Sequence, residues 1–326
     1  MEKIRVSVGT ARQLGLKPCN SKVKMETAYL LTYHEGRCSA NCQFCAQARE
    51  SFAPPDRIAR GVYPKFNLKE VANKLKIAAK DGEIKRACIQ TLNHTCLIED
   101  LSILIESLSD AGIQISLSKH PSNYEELKYL KRLGVTRLTI PLDAVTEELF
   151  DRIKGEGVGS PYRWEKHWEG LKLAFRVFGK GGVGTHIILG LGETEKEALE
   201  TISALLKIGV GVGLFAFVPI SGTALSDAPR PSIESYRKVQ LGHYLLRKKM
   251  VNFSDFSFKG GKIRDFGSPK DRLYAIIEGG APFITSGCSN CNRPYSTESP
   301  SGPIYNYAMP PSKHEIEKIK IQLGVK

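Results

Sequence analysis

The chain has 326 residues, 41% of them hydrophobic and 25% charged, an ordinary balance for a folded globular protein that excludes collagen-like, wholly disordered and disulfide-scaffold classes. No apolar run reaches the ~20 residues needed to cross a bilayer, and the opening MEKIRVSVGTARQ lacks the apolar stretch of a secretory signal, so a cytoplasmic protein with no membrane association is expected. Lys and Arg number 47 against 34 Asp and Glu, a formal charge of +13. This charge is spread along the chain, with no dense basic arm or RNA-binding fingerprint. It favours solubility and acidic protein partners over nucleic acid.

Residues 1–27 read as an N-terminal extension. From residue 28 the chain alternates short apolar β-branched runs with helical periodicities. Strands are predicted at Ala28–Tyr33, Arg86–Leu92, Gln114–Ser118, Arg137–Leu142, Gly184–Leu189 and Gly213–Val218, with two weaker ones at Phe253–Phe258 and Pro282–Thr285. Helices are predicted at Leu68–Lys80, Ile98–Ala111, Tyr124–Leu133, Thr146–Lys154, Trp164–Phe178, Glu195–Ile208 and Ile233–Lys249. Apolar recurrence at three and four residues marks the helices, and short continuous apolar runs suit buried parallel strands. Repeated β-then-α order predicts an α/β fold, a (β/α)8 TIM-type barrel or an open six-unit version of it, over residues 28–285. Functional residues are then expected on loops after strand C-termini. Residues 286–326 read as a cysteine-containing segment rich in Gly, Pro, Ser and Asn. Ser312 and Glu315 form a capping box opening a last helix with Ile316, Ile319 and Leu323 on one side.

Eight cysteines are present, and in a cytosolic protein grouped cysteines point to metal or redox chemistry. Cys38, Cys42 and Cys45 follow the first predicted barrel strand as CxxxCxxC. Three thiolates within eight residues suit a loop curled around one centre. Structural zinc usually takes four protein ligands, which Cys19 could complete. An iron–sulfur cluster held by only three thiolates leaves one iron open to a small ligand.

CxxxCxxC with Phe44 before its last cysteine resembles the signature of the radical S-adenosylmethionine (SAM) superfamily. That resemblance implies a 4Fe-4S cluster whose open iron chelates SAM and whose electron cleaves it to a 5′-deoxyadenosyl radical. It also implies an electron donor such as ferredoxin. TIPLDAVTEELF is similar to the segment that contacts the SAM ribose in biotin synthase, which makes Asp143 a ribose ligand; capping the following helix is the alternative. HIILGLGETEKE resembles the adenine-side element of that family at Ile188, Gly190 and Glu193, and FVPISGTALSD looks like a further family segment beginning at Pro219. Thr91 and Asn93 fall where these enzymes contact the methionine of SAM, and Arg163 is a candidate partner for its carboxylate.

Cys288 and Cys291 form a CxxC after the last predicted strand, expected at the same barrel mouth. As ligands of an auxiliary 4Fe-4S cluster they need others: Cys19 is the candidate third cysteine, and Ser289, Ser296 or Ser299 a candidate oxygen ligand. Cys88 and Cys96 are assigned to packing. Biotin synthase and lipoyl synthase share the logic of two clusters, the auxiliary one donating sulfur to an unactivated carbon. Most of the chain resembles biotin synthase. However, biotin synthase takes its auxiliary-cluster cysteines from barrel strands; Cys88 falls where one of them would be, but ISLSKH and THIILG offer none. Cluster ligands at the chain's ends make this sequence look more like the archaeal biotin-synthase-like proteins that act in pairs as a split lipoyl synthase. The resemblance implies sulfur insertion into an octanoyl chain on an acidic carrier (a lipoyl domain or glycine cleavage H protein) and a second radical SAM protein as partner. A biotin synthase-like or other cofactor-maturation enzyme is the alternative within the superfamily. A zinc-binding scaffold is the alternative outside it.

Overall fold

The computed structural model describes residues 1–18, 25–289, 291, 293–299 and 301–325. In chain order it contains β1 (Lys3–Val6), α1 (Val8–Gln13), β2 (Thr27–Thr32), β3 (Arg57–Ile58), β4 (Gly61–Val62), β5 (Lys65–Asn67), α2 (Leu68–Lys80), β6 (Arg86–Gln90), α3 (Leu97–Leu108), β7 (Gln114–Ser118) and α4 (Tyr124–Arg132). There follow β8 (Val135–Thr139), α5 (Glu147–Lys154), α6 (Trp164–Phe178), β9 (Val183–Leu189), α7 (Glu195–Lys207), β10 (Gly211–Ala216) and α8 (Ile233–Arg247). The chain ends with β11 (Ser257–Lys259), β12 (Lys262–Asp265), α9 (Lys270–Glu278), α10 (Pro294–Thr297) and α11 (Lys313–Leu323).

Six parallel strands form the centre in the order β10-β9-β8-β7-β6-β2. All six residues of β2 are buried, as expected for parallel strands covered on both faces. The helices cover the outside. In α3, Leu97, Leu101, Leu104, Ile105 and Leu108 are buried, each stabilising the fold by roughly 1.5–3 kcal/mol relative to exposure. Side-chain caps start the helices where polar residues precede the apolar rows: Asn67 for α2, Asn123 for α4, Thr146 for α5, Thr194 for α7 and Ser232 for α8. The capping box at Ser312 and Glu315 opens α11 as expected.

The sheet is open. Among the described residues no ladder joins β10 to the β2 side, and the expected seventh and eighth barrel units are absent. Gly260 and Gly261, at φ 57° and 75°, turn the chain straight back, so Ser257–Lys259 pairs with Lys262–Asp265 in a separate hairpin. Residues 281–283 wind into a single 3-10 turn instead of a strand. The N-terminal extension, in contrast, joins the sheet: β1 runs antiparallel beside β2, and β5 beside β1.

The open edge of β10 is met by the C-terminal segment. Leu214 N donates to Ser286 Oγ at 2.9 Å, while Arg293 donates to Leu214 O at 2.6 Å and to Ser286 O at 2.8 Å. Farther on, the buried Arg237 of α8 donates to Tyr305 O at 2.6 Å, Ile304 O at 2.5 Å and Gln322 Oε1 at 2.9 Å. This one side chain ties residues 304–305 and α11 to the barrel. Among the described residues no helix is long and apolar enough to cross a membrane.

Candidate active site

A cavity of about 290 Å³ runs through the middle of the curled sheet, lined from every parallel strand by residues such as Tyr29, Cys88, Ser116, Thr139, His186 and Phe215. The cysteine loop covers part of it, and Cys38, Phe44, Cys42 and Cys45 all line the chamber. The loop is folded on itself by backbone bonds: Cys38 N to Gln47 O at 3.1 Å, Arg49 N to Ala40 O at 2.9 Å and Cys45 N to Cys42 O at 3.0 Å. Gln43 N to Ile153 O at 2.9 Å pins it to α5. Arg37 clamps its far side through Ala46 O and Ala53 O, each at 2.8 Å.

Backbone donors are aimed at two of these sulfurs, Asn93 N to Cys38 Sγ at 3.2 Å and Gln47 N to Cys45 Sγ at 3.4 Å. Burial pushes the Cys42 thiol up, and the Cys45 thiol up to about 11 against the Gln47 bond that lowers it. Buried thiols with N–H donors aimed at their sulfurs suit thiolates whose protons are replaced by metal. Among the described residues no three His, Cys, Asp or Glu groups are arranged to hold a single metal ion. Three thiols with N–H donors at two of their sulfurs fit a thiolate-held cluster facing the chamber. Cys19, the proposed completing ligand for zinc and third ligand for the auxiliary cluster, lies outside the described residues.

Asp143 lines the chamber beside these thiols, at φ 66°, a left-handed conformation that asparagine and aspartate tolerate best. Bonds from Asp143 N to His186 O and from Ile188 N to Asp143 O, both 2.8 Å, hold its backbone against β9. Its Oδ2 accepts from Lys154 Nζ at 2.7 Å, and Lys154 also donates to Pro141 O at 2.7 Å. Thr91 lines the same chamber and donates to Ser118 O at 3.0 Å; Ile188 lines it too.

Gly190 and Glu193 do not line the chamber. Glu193 accepts from Gly190 N at 2.6 Å and Leu191 N at 3.0 Å, with burial pushing its carboxyl up. Gly190 sits at φ 101°, and a Cβ there would lie 2.6 Å from Pro231 Cδ. Their geometry thus shapes the turn behind Ile188. Asn93 meets Cys38 through its backbone, and its side chain is absent from the chamber wall. Arg163 is directed away, into an outer groove, with Nη2 2.9 Å from Glu156.

A second thiol group lies on the chamber floor. Cys88, Cys288 and Cys291 all line the chamber. Cys88 packs against the Tyr29 and Tyr63 cluster, as assigned, and also faces the chamber, projecting from β6 between Tyr29 and Ser116, its direct register partners on β2 and β7. Burial pushes its thiol up, followed by the facing Cys288 and Cys291. Ser116 Oγ lies 3.5 Å from Cys288 Sγ and accepts from Arg86 Nη1 at 2.6 Å, leaving its own hydrogen free for the sulfur. Tyr29 Oη is 3.7 Å and Arg293 Nη1 4.0 Å from Cys291 Sγ. Of the proposed oxygen ligands, Ser289 Oγ accepts from Arg86 at 3.3 Å, Ser299 bonds Ser301 at 2.8 Å, and the Ser296 side chain lies outside the described part. Cys96 is exposed, at the start of α3.

Lys154, Tyr162, His120, His186, Ser116 and Arg293 line the chamber without having been expected there. Period-two polar insertions in otherwise apolar strands, Cys88 and Gln90 on β6 and Ser116 and Ser118 on β7, are the signal that marks the inner face.

The radical SAM superfamily model matches residues 32–205, just over half of the chain. Among curated proteins, the biotin synthase of Persephonella marina is 26% identical over 209 residues, 62% of this chain and 57% of that protein. Biotin synthase of Clostridium botulinum is 23% identical over 270 residues, 78% of this chain and 76% of that one. The chain thus spans under two thirds of the length of the Persephonella relative. The hydrogenase maturase HydG of Carboxydothermus hydrogenoformans shares the fold, with a TM-score of 0.54 at 16% identity, covering 69% of this chain and 52% of that structure. A loop that turns three thiols into a chamber at the mouth of a six-stranded parallel sheet is where the superfamily model begins its match, and the chain belongs to the radical SAM superfamily.

Proposed function

We propose that this chain is a sulfur-insertion enzyme, a component of a split lipoyl synthase that adds sulfur to an octanoyl chain amide-linked to a lysine of an acidic carrier. A second radical SAM protein and an electron donor such as ferredoxin complete the system. The observation that carries this reading is the second thiol trio, Cys88, Cys288 and Cys291, on the floor of the chamber that the loop thiols cover. A cluster at Cys38, Cys42 and Cys45, when bound, supplies the electron that cleaves SAM.

The protein's own residues then do the positioning. Asp143, held by Lys154, presents its remaining carboxylate oxygen to a sugar hydroxyl. Ile188, Phe217 and Ile220 give the chamber apolar walls that suit an alkyl chain and keep water from a reactive intermediate. The floor trio fits an auxiliary cluster in its donor chemistry, with hydroxyl and guanidinium groups at two of its three sulfurs. The spread positive charge supports an acidic carrier by steering.

A biotin synthase-like activity is the second reading. It is favoured by the biotin synthases among the relatives and by Cys88 on β6, where that family also takes a cluster ligand. An anaerobic turnover assay separates the two. Sulfur transfer to an octanoyl-lysine peptide, with the partner protein present, supports the first; transfer to a sulfur-free biotin precursor alone supports the second. SAM cleavage without sulfur transfer to either would overturn both.

A further inference from the structure

Two buried cations have no carboxylate: Arg293, which lines the chamber, and Arg86, which stands behind Ser116. Arg86 and Arg293 are 6% and 7% exposed. Arg86 donates to Ser116 Oγ at 2.6 Å, to Ser289 Oγ at 3.3 Å and to the Gln114 side chain. Arg293 donates to the carbonyls of Ser286 and Leu214, at 2.8 and 2.6 Å, and lies 3.8 Å over the Phe215 ring. Every one of these acceptors is neutral, and among the described residues neither guanidinium forms a salt bridge. The carboxylate that lines the chamber, Asp143, is already matched by Lys154. Burying a charge is costly unless an opposite charge meets it. Hydrogen bonds to carbonyls and hydroxyls satisfy the N–H groups but leave the charge itself uncompensated.

Each guanidinium leads to one sulfur of the floor group. Arg86 reaches Cys288 through Ser116, in steps of 2.6 and 3.5 Å, and Arg293 stands 4.0 Å from Cys291. We propose that Arg86 and Arg293 are the counter-charges of an anionic iron–sulfur group held by Cys88, Cys288 and Cys291, and that they set its reduction potential. This inference rests on the two-site reading above. A thiolate-ligated iron–sulfide group carries net negative charge, and gaining an electron adds one more. Fixed positive charge in a medium of low dielectric constant stabilises that reduced form and raises its potential. The hydroxyls of Ser116 and Tyr29 near the sulfurs act in the same direction. Both arginines are positioning residues in this scheme, acting on the group and not on the substrate.

The test uses the full chain with Cys38, Cys42 and Cys45 changed to Ala, reconstituted anaerobically so that only the floor group is loaded. Iron, sulfide and the midpoint potential are measured, the last by EPR-monitored titration. Arg86→Gln and Arg293→Gln should each lower the reduced-to-oxidised ratio at a fixed potential about tenfold, about 59 mV for one electron, at unchanged iron and sulfide. Arg→Lys variants should retain most of the parent ratio, because they keep the charge while losing the planar hydrogen-bond geometry. Parent-like potentials in both Gln variants, with full iron and sulfide, would overturn the charge assignment and leave the two-site reading intact. Should a Gln variant fail to load at all, its Lys counterpart decides: loading restored by Lys supports the assignment, and loading lost in both overturns it. A triple-alanine parent that folds but takes up neither iron nor sulfide overturns both the assignment and the two-site reading.

Discussion

Lys154 Nζ lies 2.7 Å from Asp143 Oδ2, with side-chain exposures of 4% and 9%, and the pair stands beside the cysteine loop. The ammonium also sits over the rings of Phe150 and Tyr162, at 5.5 and 5.3 Å. Removing either member leaves the other buried without its partner. Lys154→Met should therefore destabilise the fold by about 3–5 kcal/mol, the cost of stranding one member of a buried pair. Replacing both residues, as Asp143→Leu with Lys154→Met, should cost less than the lysine change alone. Urea denaturation of the two variants checks the order. SAM cleavage should fall in both.

The floor assignment makes Cys88 a ligand. Cys88→Ser and the double change Cys288→Ala with Cys291→Ala should each reduce the iron–sulfur content from about two clusters to about one, while SAM cleavage survives. Cys19→Ala should retain both. Iron and sulfide analysis on anaerobically reconstituted protein decides between Cys88 and Cys19. Loss of a cluster in the Cys19 variant alone would restore the ligand set expected from sequence.

Acid should weaken the fold. Burial pushes the imidazoles of His120, His167, His186 and His243 down to about 3, far below the free value of about 6.5. Between those values the unfolded chain binds protons that the folded chain refuses, so stability is full above pH 6.5 and falls as the pH drops toward 3. Each such group contributes a slope of about 1.4 kcal/mol per pH unit within that window. His243, on α8, lies away from the chamber-lining residues and is the cleanest probe. Denaturation curves at pH 7 and 5 should converge in His243→Gln relative to the parent. An unchanged pH slope would remove His243 from the account.

Arg237 is the anchor of the segment that follows the floor cysteines. Besides its three ties to residues 304, 305 and 322, its guanidinium lies 5.5 Å from both the Phe283 and Tyr307 ring centres. Arg237→Met keeps the volume and removes several charge-assisted hydrogen bonds, a loss of about 3 kcal/mol or more. Limited proteolysis should then cut first between residues 284 and 312, and loss of the floor cluster should accompany the cut.

Much of this architecture was legible in the sequence, because the dominant forces there are periodic. The row Val71, Leu75 and Ala78 places α2, and Gln114–Ser118 is found where its apolar run predicts. CxxxCxxC marks the covering loop because its ligands are local. What escaped is non-local. Lys154 reads as the last cation of an amphipathic helix until β8 brings Asp143 beneath it. Cys88 in RACIQTL falls at a biotin synthase ligand position, yet a small thiol inside an apolar run reads as core packing by default. The missing seventh and eighth units had a local cue, the Gly260–Gly261 reversal, which a pattern of apolar residues alone overrides.

The two thiol groups differ in how much chain they enclose. Cys38 and Cys45 are 7 positions apart, whereas Cys88 and Cys288 are 200 apart and come from an interior strand and from the segment that meets the open edge of β10. Fastening the longer span withdraws about 3 kcal/mol more disorder from the unfolded chain, by the logarithm of the loop-length ratio. Metal at the floor would therefore work as a clasp for the entire barrel, and its removal should lower the melting temperature more than emptying the covering loop.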